Sequence, residues 1–226
     1  MDYEQNLNEL NFKPEDYYAL SRPEMLKYIP KDSKRILDVG CGQGVFGKLL
    51  REKFGSEVWG IEMDNTSATI AKDNLDNVLA GDVMQIIESM DNKFDCIVFN
   101  DILEHLADPY ILLQKVKKLL LPNGVVVCSL PNVRYIGNLK RLLIDKQWRY
   151  EDAGILDKTH LRFFTMNSII DTFEALDYEL IKIEGINPVK SALFSLLNIL
   201  SLGSLSDTRY IQFACVAKPK LNMRKT

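Results

Sequence analysis

A strand that leads directly into a turn of alternating glycines is the feature that most constrains the fold. Residues 36–39 are apolar apart from one acid, and Gly40, Gly42 and Gly44 follow at every second position. Glycine adopts positive φ at little cost and lets a ligand approach the backbone. Residues 45–54 carry apolar side chains at helical spacing, so the turn feeds a helix N-terminus. This order indicates a site for a nucleotide or a nucleotide-like cofactor.

The rest of the chain predicts an α/β protein with a mostly parallel sheet. Short β-rich runs alternate with amphipathic stretches from residue 34 to residue 216. Strands are predicted at 35–39, 57–62, 77–80, 96–100, 125–130, 179–184 and 211–217, and helices at 21–28, 45–54, 65–75, 83–90, 109–121 and 166–176. We expect one domain over 1–226, with an N-terminal cap (1–34), a cofactor-binding half (35–130), two substrate-side insertions (131–165 and 185–207), and a last helix and strands (166–184 and 208–218).

Composition excludes several classes of function. The net charge is −3, from 28 basic and 31 acidic residues without long runs, which argues against a nucleic-acid partner. The polar N-terminus does not resemble a signal peptide, so we expect a cytoplasmic protein. The apolar stretch 191–205 is shorter than the roughly 20 residues of a membrane span, which predicts no stable membrane insertion. This stretch is instead expected to form a substrate-side lid or a homodimer surface.

The four cysteines predict no metal or disulfide framework. They are widely spaced along the chain, and three of them lie in apolar, strand-like runs. Zinc sites and disulfide scaffolds have closer, patterned spacings. Buried, reduced thiols are therefore expected.

The glycine turn matches two cofactor patterns. The spacing from Gly42 to Gly47, with Glu62 about 20 residues further on, matches the dinucleotide-binding pattern. The second pattern adds Asp38, two residues ahead of Gly40, and suits the amino-acid end of S-adenosylmethionine. The glycines alone leave both open.

Carboxylates at the ends of the following strands favour the second pattern. Glu62 ends the second strand, where it can accept both ribose hydroxyl protons, and Met63 can pack on adenine. After the third strand come Asp82, which can accept a hydrogen bond from the adenine amino group, and Val83. Each acid also has a purely structural interpretation: Asp38 as a brace of the turn, Glu62 as a solvated strand end, and Asp82 as a helix N-cap.

Taken together, residues from about 22 to 218 resemble the class I S-adenosylmethionine-dependent methyltransferases. The resemblance implies S-adenosyl-L-methionine as methyl donor, S-adenosyl-L-homocysteine as product, and a seven-stranded Rossmann-like sheet. In that sheet the last strand is antiparallel and lies beside the fifth, with helices on both faces. Tyr17 or Tyr18 would close over the cofactor. The expected cofactor-binding residues are Arg22, Asp38, Gly40, Gly42, Gly44, Glu62, Met63, Asp82, Val83, Asn100 and Asp101; for Arg22, an ordinary ion pair with Glu24 or Asp16 is the alternative.

Methyl transfer to a hydroxyl needs a proton acceptor, and the chain has only two histidines. His105 follows the fourth strand beside Glu104; the alternative is that both side chains bind the backbone of their own loop. His160 lies in a polar, cationic and aromatic segment just before a helix for which Thr165 is the expected N-cap. We expect one of the two histidines to be the base, with a slight preference for His160.

Residues 156–165 and 131–135 resemble a bacterial branch of these methyltransferases that is associated with sugars of cell-surface polysaccharides, with relatives acting on quinone precursors. The resemblance implies an O-methyltransferase of a sugar or sugar nucleotide, with substrate contacts from Asn132, Tyr135, Lys158 and Arg162. No metal is expected, because no tight carboxylate–histidine cluster is evident in the sequence. Alternatives are an N- or O-methyltransferase of another small molecule, such as a quinone precursor, an NAD-dependent oxidoreductase or epimerase, and a non-catalytic cofactor-binding protein.

Overall fold

One sheet of seven strands organises the part of the chain that the computed structural model describes, residues 18–189 and 192–220. The strands are β1 (Arg35–Val39), β2 (Glu57–Glu62), β3 (Asn77–Ala80), β4 (Phe94–Asn100), β5 (Leu120–Pro131), β6 (Tyr178–Pro188) and β7 (Tyr210–Pro219). The α-helices are α1 (Val45–Phe54), α2 (Asn65–Ala71), α3 (Val83–Ser89), α4 (Pro109–Val116), α5 (Ile136–Leu143), α6 (Met166–Ala175) and α7 (Ala192–Leu200). Short 3₁₀ helices cover Pro23–Tyr28, Leu103–His105, Lys117–Leu119 and Ser206–Arg209.

The strand order confirms the predicted topology. The order is β3-β2-β1-β4-β5-β7-β6. The first five strands pair in parallel, and β7 pairs antiparallel with both β5 and β6. The order reverses direction between β1 and β4, so the carboxyl ends of these strands border the crevice where open α/β sheets bind ligands.

Two apolar cores lie on the two faces of the sheet, because successive side chains of a strand point in opposite directions. In β1, Leu37 and Val39 belong to one core and Ile36 to the other. In β4, Ile97 and Val98 divide in the same way. Burial on both faces explains why the central strands read as continuous apolar runs. All four cysteines are buried and unbridged, which confirms the prediction of buried, reduced thiols.

Side-chain caps fix the starts of several helices. Asp64 accepts a hydrogen bond from the Ser67 N–H at 2.7 Å and caps α2. Thr165 and Ser168 form a reciprocal capping box at the start of α6, which confirms Thr165 as N-cap. An N-cap of this kind contributes about 1 kcal/mol.

The structure differs from the sequence-based expectations in several places. The predicted helix over 109–121 ends at Val116, and β5 begins at Leu120 instead of residue 125. The predicted first helix is a 3₁₀ helix that follows Arg22, whose φ of 44° is left-handed and which makes no side-chain cap. The first insertion contains α5, which was not predicted. The second insertion was expected from residue 185, but β6 continues to Pro188, which pairs with Tyr210 of β7. Pairing between segments so far apart leaves no local sequence signal.

The second apolar stretch forms α7, in which Phe194 is buried whereas Ile199 and Leu200 are exposed. Its role as a lid or a homodimer surface stays a prediction. Among the described residues, no helix is long and apolar enough to cross a membrane.

Candidate active site

The glycine turn between β1 and α1 is held close to its neighbours. Gly40, Gly42 and Gly44 all have positive φ, at 71°, 54° and 76°. A Cβ on Gly40 would lie 2.0 Å from Cδ1 of Ile102, and one on Gly42 would lie 2.4 Å from the Tyr18 carbonyl oxygen. The alternation of glycines therefore has two causes here, the left-handed backbone and the lack of space for a side chain.

Glu62 ties the end of β2 to this turn. One carboxylate oxygen of Glu62 accepts the Gly42 N–H at 2.8 Å, and the other accepts the Asp64 N–H at 2.9 Å. The residue is only 7% exposed. A carboxylate has about four lone-pair positions, so two remain for hydroxyl donors such as those of a ribose. The burial of Glu62 contradicts its interpretation as a solvated strand end, whereas the cofactor-binding role stays a prediction that this geometry permits.

Asp38 is a buried carboxyl beneath the turn. The residue is 2% exposed, and burial, with a smaller contribution from the nearby Glu62 carboxylate, raises the pKa of Asp38 to about 7. Desolvation disfavours the charged form of an acid, and a like charge adds to that effect. An acid held this way favours a cationic ligand nearby.

The residues expected around adenine lie at the same edge. Met63 follows β2 and is 74% exposed, so its side chain presents an apolar surface to solvent. Asp82 follows β3 and accepts the Gln85 N–H at 3.1 Å, so its N-cap interpretation is confirmed. Val83, the first residue of α3, is half-buried beside it. Contacts of Met63, Asp82 and Val83 with adenine stay predictions.

A four-residue polar network joins the N-terminal segment, β4, β5 and β7. Arg22 forms an ion pair with Asp101, which has a φ of 54°. The Asp101 carboxylate also accepts hydrogen bonds from Ser129 and from Gln212, each at 2.8 Å. Arg22 additionally pairs with Glu24 at 2.7 Å, so the alternative of a local ion pair is confirmed alongside the longer-range one. The network places the Arg22 guanidinium, a carboxylate-binding group, at the switch point of the sheet.

Asn100 ends β4 immediately before this network. Its side-chain oxygen and nitrogen are both buried, and neither has a hydrogen-bond partner in the described part of the chain. Buried polar groups are nearly always hydrogen-bonded, so an unpaired amide at this edge is consistent with a ligand-facing role.

A second group of side chains lies where the first insertion folds against the 3₁₀ turn after β4. The Glu104 carbonyl oxygen accepts the N–H groups of Leu161 and Arg162, at 2.8 and 3.0 Å. These bonds bring the two histidines together, with the ring centroids of His105 and His160 4.6 Å apart at an interplanar angle of 78°. The Glu104 side chain lies between the two segments, fully buried.

Hydrogen bonds assign the tautomers of both histidines. Nδ1 of His160 lies 3.0 Å from the Ile155 carbonyl oxygen, which can only accept, so Nδ1 carries the proton. Thr159 donates its hydroxyl proton to Asp157 at 2.8 Å, so its oxygen accepts from Nδ1 of His105 at 3.0 Å. In the neutral form, both rings therefore hold their lone pair on Nε2.

Glu104 completes a tight carboxylate–histidine cluster. Ligand atoms offered by Glu104, His105 and His160 all lie within 4.8 Å of one another, and Nε2 of His160 is 4.0 Å from a Glu104 oxygen. Neither Glu104 oxygen has a hydrogen-bond partner among the described residues, and burial raises the pKa of Glu104 to about 8. The expectation that no such cluster exists is therefore wrong, because the turn and the insertion meet only in the fold.

The side chains expected to bind an acceptor are mostly engaged within the chain. Asn132 is fully buried and donates to the carbonyl oxygens of Asp207 and Tyr210, at 2.9 and 3.0 Å. Lys158 pairs with Asp152 at 2.9 Å. Arg162 donates to the Ala107 carbonyl oxygen, and Tyr135 is half-buried and lines a surface cavity of about 220 Å³. None of these contacts assigns a substrate role.

A row of aromatic rings runs from the surface to the histidines. Trp148 is 38% exposed, and its ring centroid lies 5.4 Å from that of Phe163. Phe163 is in turn 6.5 Å from His160, which contacts His105 edge to face. Such edge-to-face rows offer planar and apolar contacts to a bound ring.

Sequence reasoning missed Gln212 and Ser129 as parts of the site, and it named Glu104 only as the neighbour of His105, without a site role of its own. Gln212 and Ser129 lie in apolar strands and gave no signal, since only the antiparallel position of β7 brings Gln212 to Asp101. Glu104 did give a signal, because an acid flanked by apolar residues and a histidine is unusual in a buried turn.

Comparisons with known proteins agree with this fold. A family model described as a methyltransferase domain matches residues 13–183. The ubiquinone biosynthesis O-methyltransferase of Cereibacter sphaeroides (strain KD131 / KCTC 12085) is 27% identical over 168 residues, which are 71% of this chain and 63% of that protein. This chain thus spans less than two thirds of that curated relative.

Solved structures show the same fold. An S-adenosylmethionine-dependent methyltransferase from Archaeoglobus fulgidus has 21% identity and a TM-score of 0.65, over 96% of this chain and 100% of that one. A second, PKMT2 from Rickettsia typhi in complex with S-adenosylhomocysteine, has 14% identity and a TM-score of 0.58, over 90% of this chain and 53% of that one. With the family model matching three quarters of its length, the chain belongs to the methyltransferase domain family.

Proposed function

We propose that the chain transfers a methyl group from S-adenosylmethionine to a hydroxyl of a small molecule. The observation that carries the proposal is the edge formed by the glycine turn, Glu62 and the Arg22–Asp101 pair at the switch point of the sheet. Arg22 suits the cofactor carboxylate, and the lone pairs of Glu62 that remain suit ribose hydroxyls. The buried acid Asp38 suits the positive end of the donor.

The proposed acceptor side is the crevice near His105 and His160. In the transfer, the bond from the methyl carbon to sulfur breaks as the bond to the acceptor oxygen forms, and sulfur keeps the electron pair. The hydroxyl proton must leave, and the Nε2 lone pairs of the two histidines are the expected acceptors. His105 is the better exposed of the two, which shifts our preference to it from the buried His160.

For the acceptor we favour an aromatic hydroxyl over a sugar. The row of rings from Trp148 to His105 can pack against a planar aromatic acceptor. Lys158 and Arg162, which were expected to bind a sugar, instead bond to Asp152 and to the Ala107 carbonyl oxygen of the same chain. The curated relative is named for O-methylation in ubiquinone biosynthesis, which favours the same class. The sugar acceptor stays a prediction and is the alternative outcome of the test.

Two measurements test the proposal. Calorimetry should detect binding of S-adenosylmethionine and not of NAD; the reverse result would refute it in favour of an oxidoreductase. Incubation with the donor and separate panels of catechols, phenols and sugar nucleotides should then form S-adenosylhomocysteine with a catechol or phenol. Turnover with sugar nucleotides alone would establish the other acceptor class, and no product with any panel would leave the non-catalytic alternative.

A further inference from the structure

We propose that Glu104, His105 and His160 form a binding site for a divalent transition-metal ion, with Zn²⁺ as the reference ion. The three side chains offer one carboxylate and two imidazoles, from the turn after β4 and from the first insertion. Two imidazoles and one carboxylate make a donor set that zinc takes at catalytic sites while keeping a fourth position open. Binding of the ion requires neither methyl donor nor acceptor.

The first argument is the state of the Glu104 carboxylate. It is completely buried, and neither oxygen has a hydrogen-bond partner in the described residues. Burying a carboxyl without a hydrogen-bond partner lowers the stability of the fold by several kcal/mol. A fold therefore retains such a group where a ligand or another interaction offsets that cost. Its ion-pair partner within 4.0 Å is His160, whose Nε2 is 4.0 Å away and so beyond hydrogen-bond distance; the charges of Arg22 and Asp157 act on the carboxyl from further away and with opposite sign.

The second argument is independent and comes from the outer contacts of the histidines. Metal-binding histidines usually donate their other ring N–H to a carbonyl, hydroxyl or carboxylate, which fixes the ring and its tautomer. His160 donates to the Ile155 carbonyl oxygen, and His105 donates to Thr159, which is itself held by Asp157. Both rings therefore hold their lone pair on Nε2, as metal ligation requires.

The geometry needs a small contraction. The ligand atoms lie within 4.8 Å of one another, whereas bonds of about 2.0–2.1 Å around a tetrahedral ion place ligands about 3.4 Å apart. The side chains must close by about an ångström, which χ rotations of Glu104 and His105 can supply. Mg²⁺ is disfavoured, because it prefers an octahedron of oxygen ligands.

The role of the ion rests on the proposed function. An acceptor hydroxyl that takes the open position becomes more acidic, as water does on zinc, and releases its proton to solvent. With the ion bound, the Nε2 lone pairs hold the metal and the proton passes to solvent; without the ion, the histidines remain the proton acceptors of the proposed function. An ortho-dihydroxy acceptor can offer two oxygens to one ion.

The chain has only two histidines, and both belong to the proposed site. Metal binding can therefore be detected from the NMR signals of their rings, without any variant. Untagged full-length protein with ¹⁵N-labelled histidine is treated with chelator, exchanged into buffer and titrated with ZnCl₂. We expect one ion per chain and a shift of the Nε2 signals of both rings. The proposal is wrong if Zn²⁺ leaves the signals of either ring unchanged. It is also wrong if the dissociation constant is above about 100 µM, which corresponds to a binding free energy of about 5–6 kcal/mol.

Variants then test the carboxylate. Glu104→Gln keeps the shape of the side chain and should weaken Zn²⁺ binding at least tenfold. Glu88→Gln, the same change at an exposed residue of α3, is the matched control and should leave Zn²⁺ binding unchanged. Equal affinity in the two variants would overturn the assignment of Glu104. The two proposals fail separately: a protein that binds zinc without forming S-adenosylhomocysteine contradicts the methyltransferase, and full turnover in chelator contradicts a role for the ion.

Discussion

Replacing Asp38 with asparagine should make the protein less sensitive to alkaline pH. The Asp38 carboxyl keeps its proton in the folded state up to about pH 7 but loses it near pH 3.8 when unfolded. The native state therefore binds more protons between these values, so the free energy of unfolding falls as pH rises through this window. Below it, both states are protonated and the carboxyl has no effect.

The magnitude follows from the two pKa values. Between about pH 5 and pH 8, the shift of Asp38 removes about 2.5 kcal/mol from the free energy of unfolding. Asparagine has nearly the same shape and does not titrate, so the difference between Asp38→Asn and wild type should grow by that amount. Glu104 and the other titrating groups are common to both proteins and cancel.

Urea denaturation without cofactor, followed by circular dichroism at several pH values, measures this difference. The slope of the denaturant dependence should be equal in the two proteins. A difference that stays constant within about 0.5 kcal/mol across the window would refute the reasoning, since it would mean that Asp38 ionises as readily in the fold as outside it.

Three further substitutions test local features. Gly42→Ala should destabilise by about 2 kcal/mol more than Gly55→Ala: both glycines have positive φ, but only Gly42 lacks space, against the Tyr18 carbonyl oxygen; equal thermal unfolding of the two variants would contradict this. Thr165→Ala should cost about 1 kcal/mol through loss of the capping box, measured by urea unfolding, and an unchanged midpoint would contradict it. Arg22→Ala should weaken S-adenosylmethionine binding at least tenfold in calorimetry, about 1.4 kcal/mol, and unchanged affinity would remove Arg22 from the cofactor site.

Much of the fold could be predicted because its signals are local. The glycine turn, the bounds of β1 and α1 and the Thr165 cap each depend on a few adjacent residues. The sheet order came from the family resemblance. The extension of β6 to Pro188 could not be predicted, because it depends on pairing with Tyr210, 22 positions later in the chain.

The candidate site divides in the same way. Glu62 was found because it follows a strand, and its position at a strand end is visible in the sequence. The structural roles of Lys158 and Asn132 could not be predicted, because the ion pair of Lys158 and the hydrogen bonds of the buried Asn132 amide need partners that only the fold brings together. The carboxylate–histidine cluster was missed for the same reason, because Glu104 and His160 are separated by α4, β5 and α5.

The position of β7 also constrains how the protein is made. Gln212 reaches Asp101 from β7, and β7 pairs with the second half of β5, from Val126 to Pro131. Until residues 212–217 have been made, β5 presents an unpaired edge and Asp101 lacks the hydrogen bond from Gln212. Chains are made from the N-terminus, so this pairing forms only after β1 to β6 have been made. A chain that is truncated or stalled before β7 is therefore expected to expose the β5 edge and to be prone to aggregate.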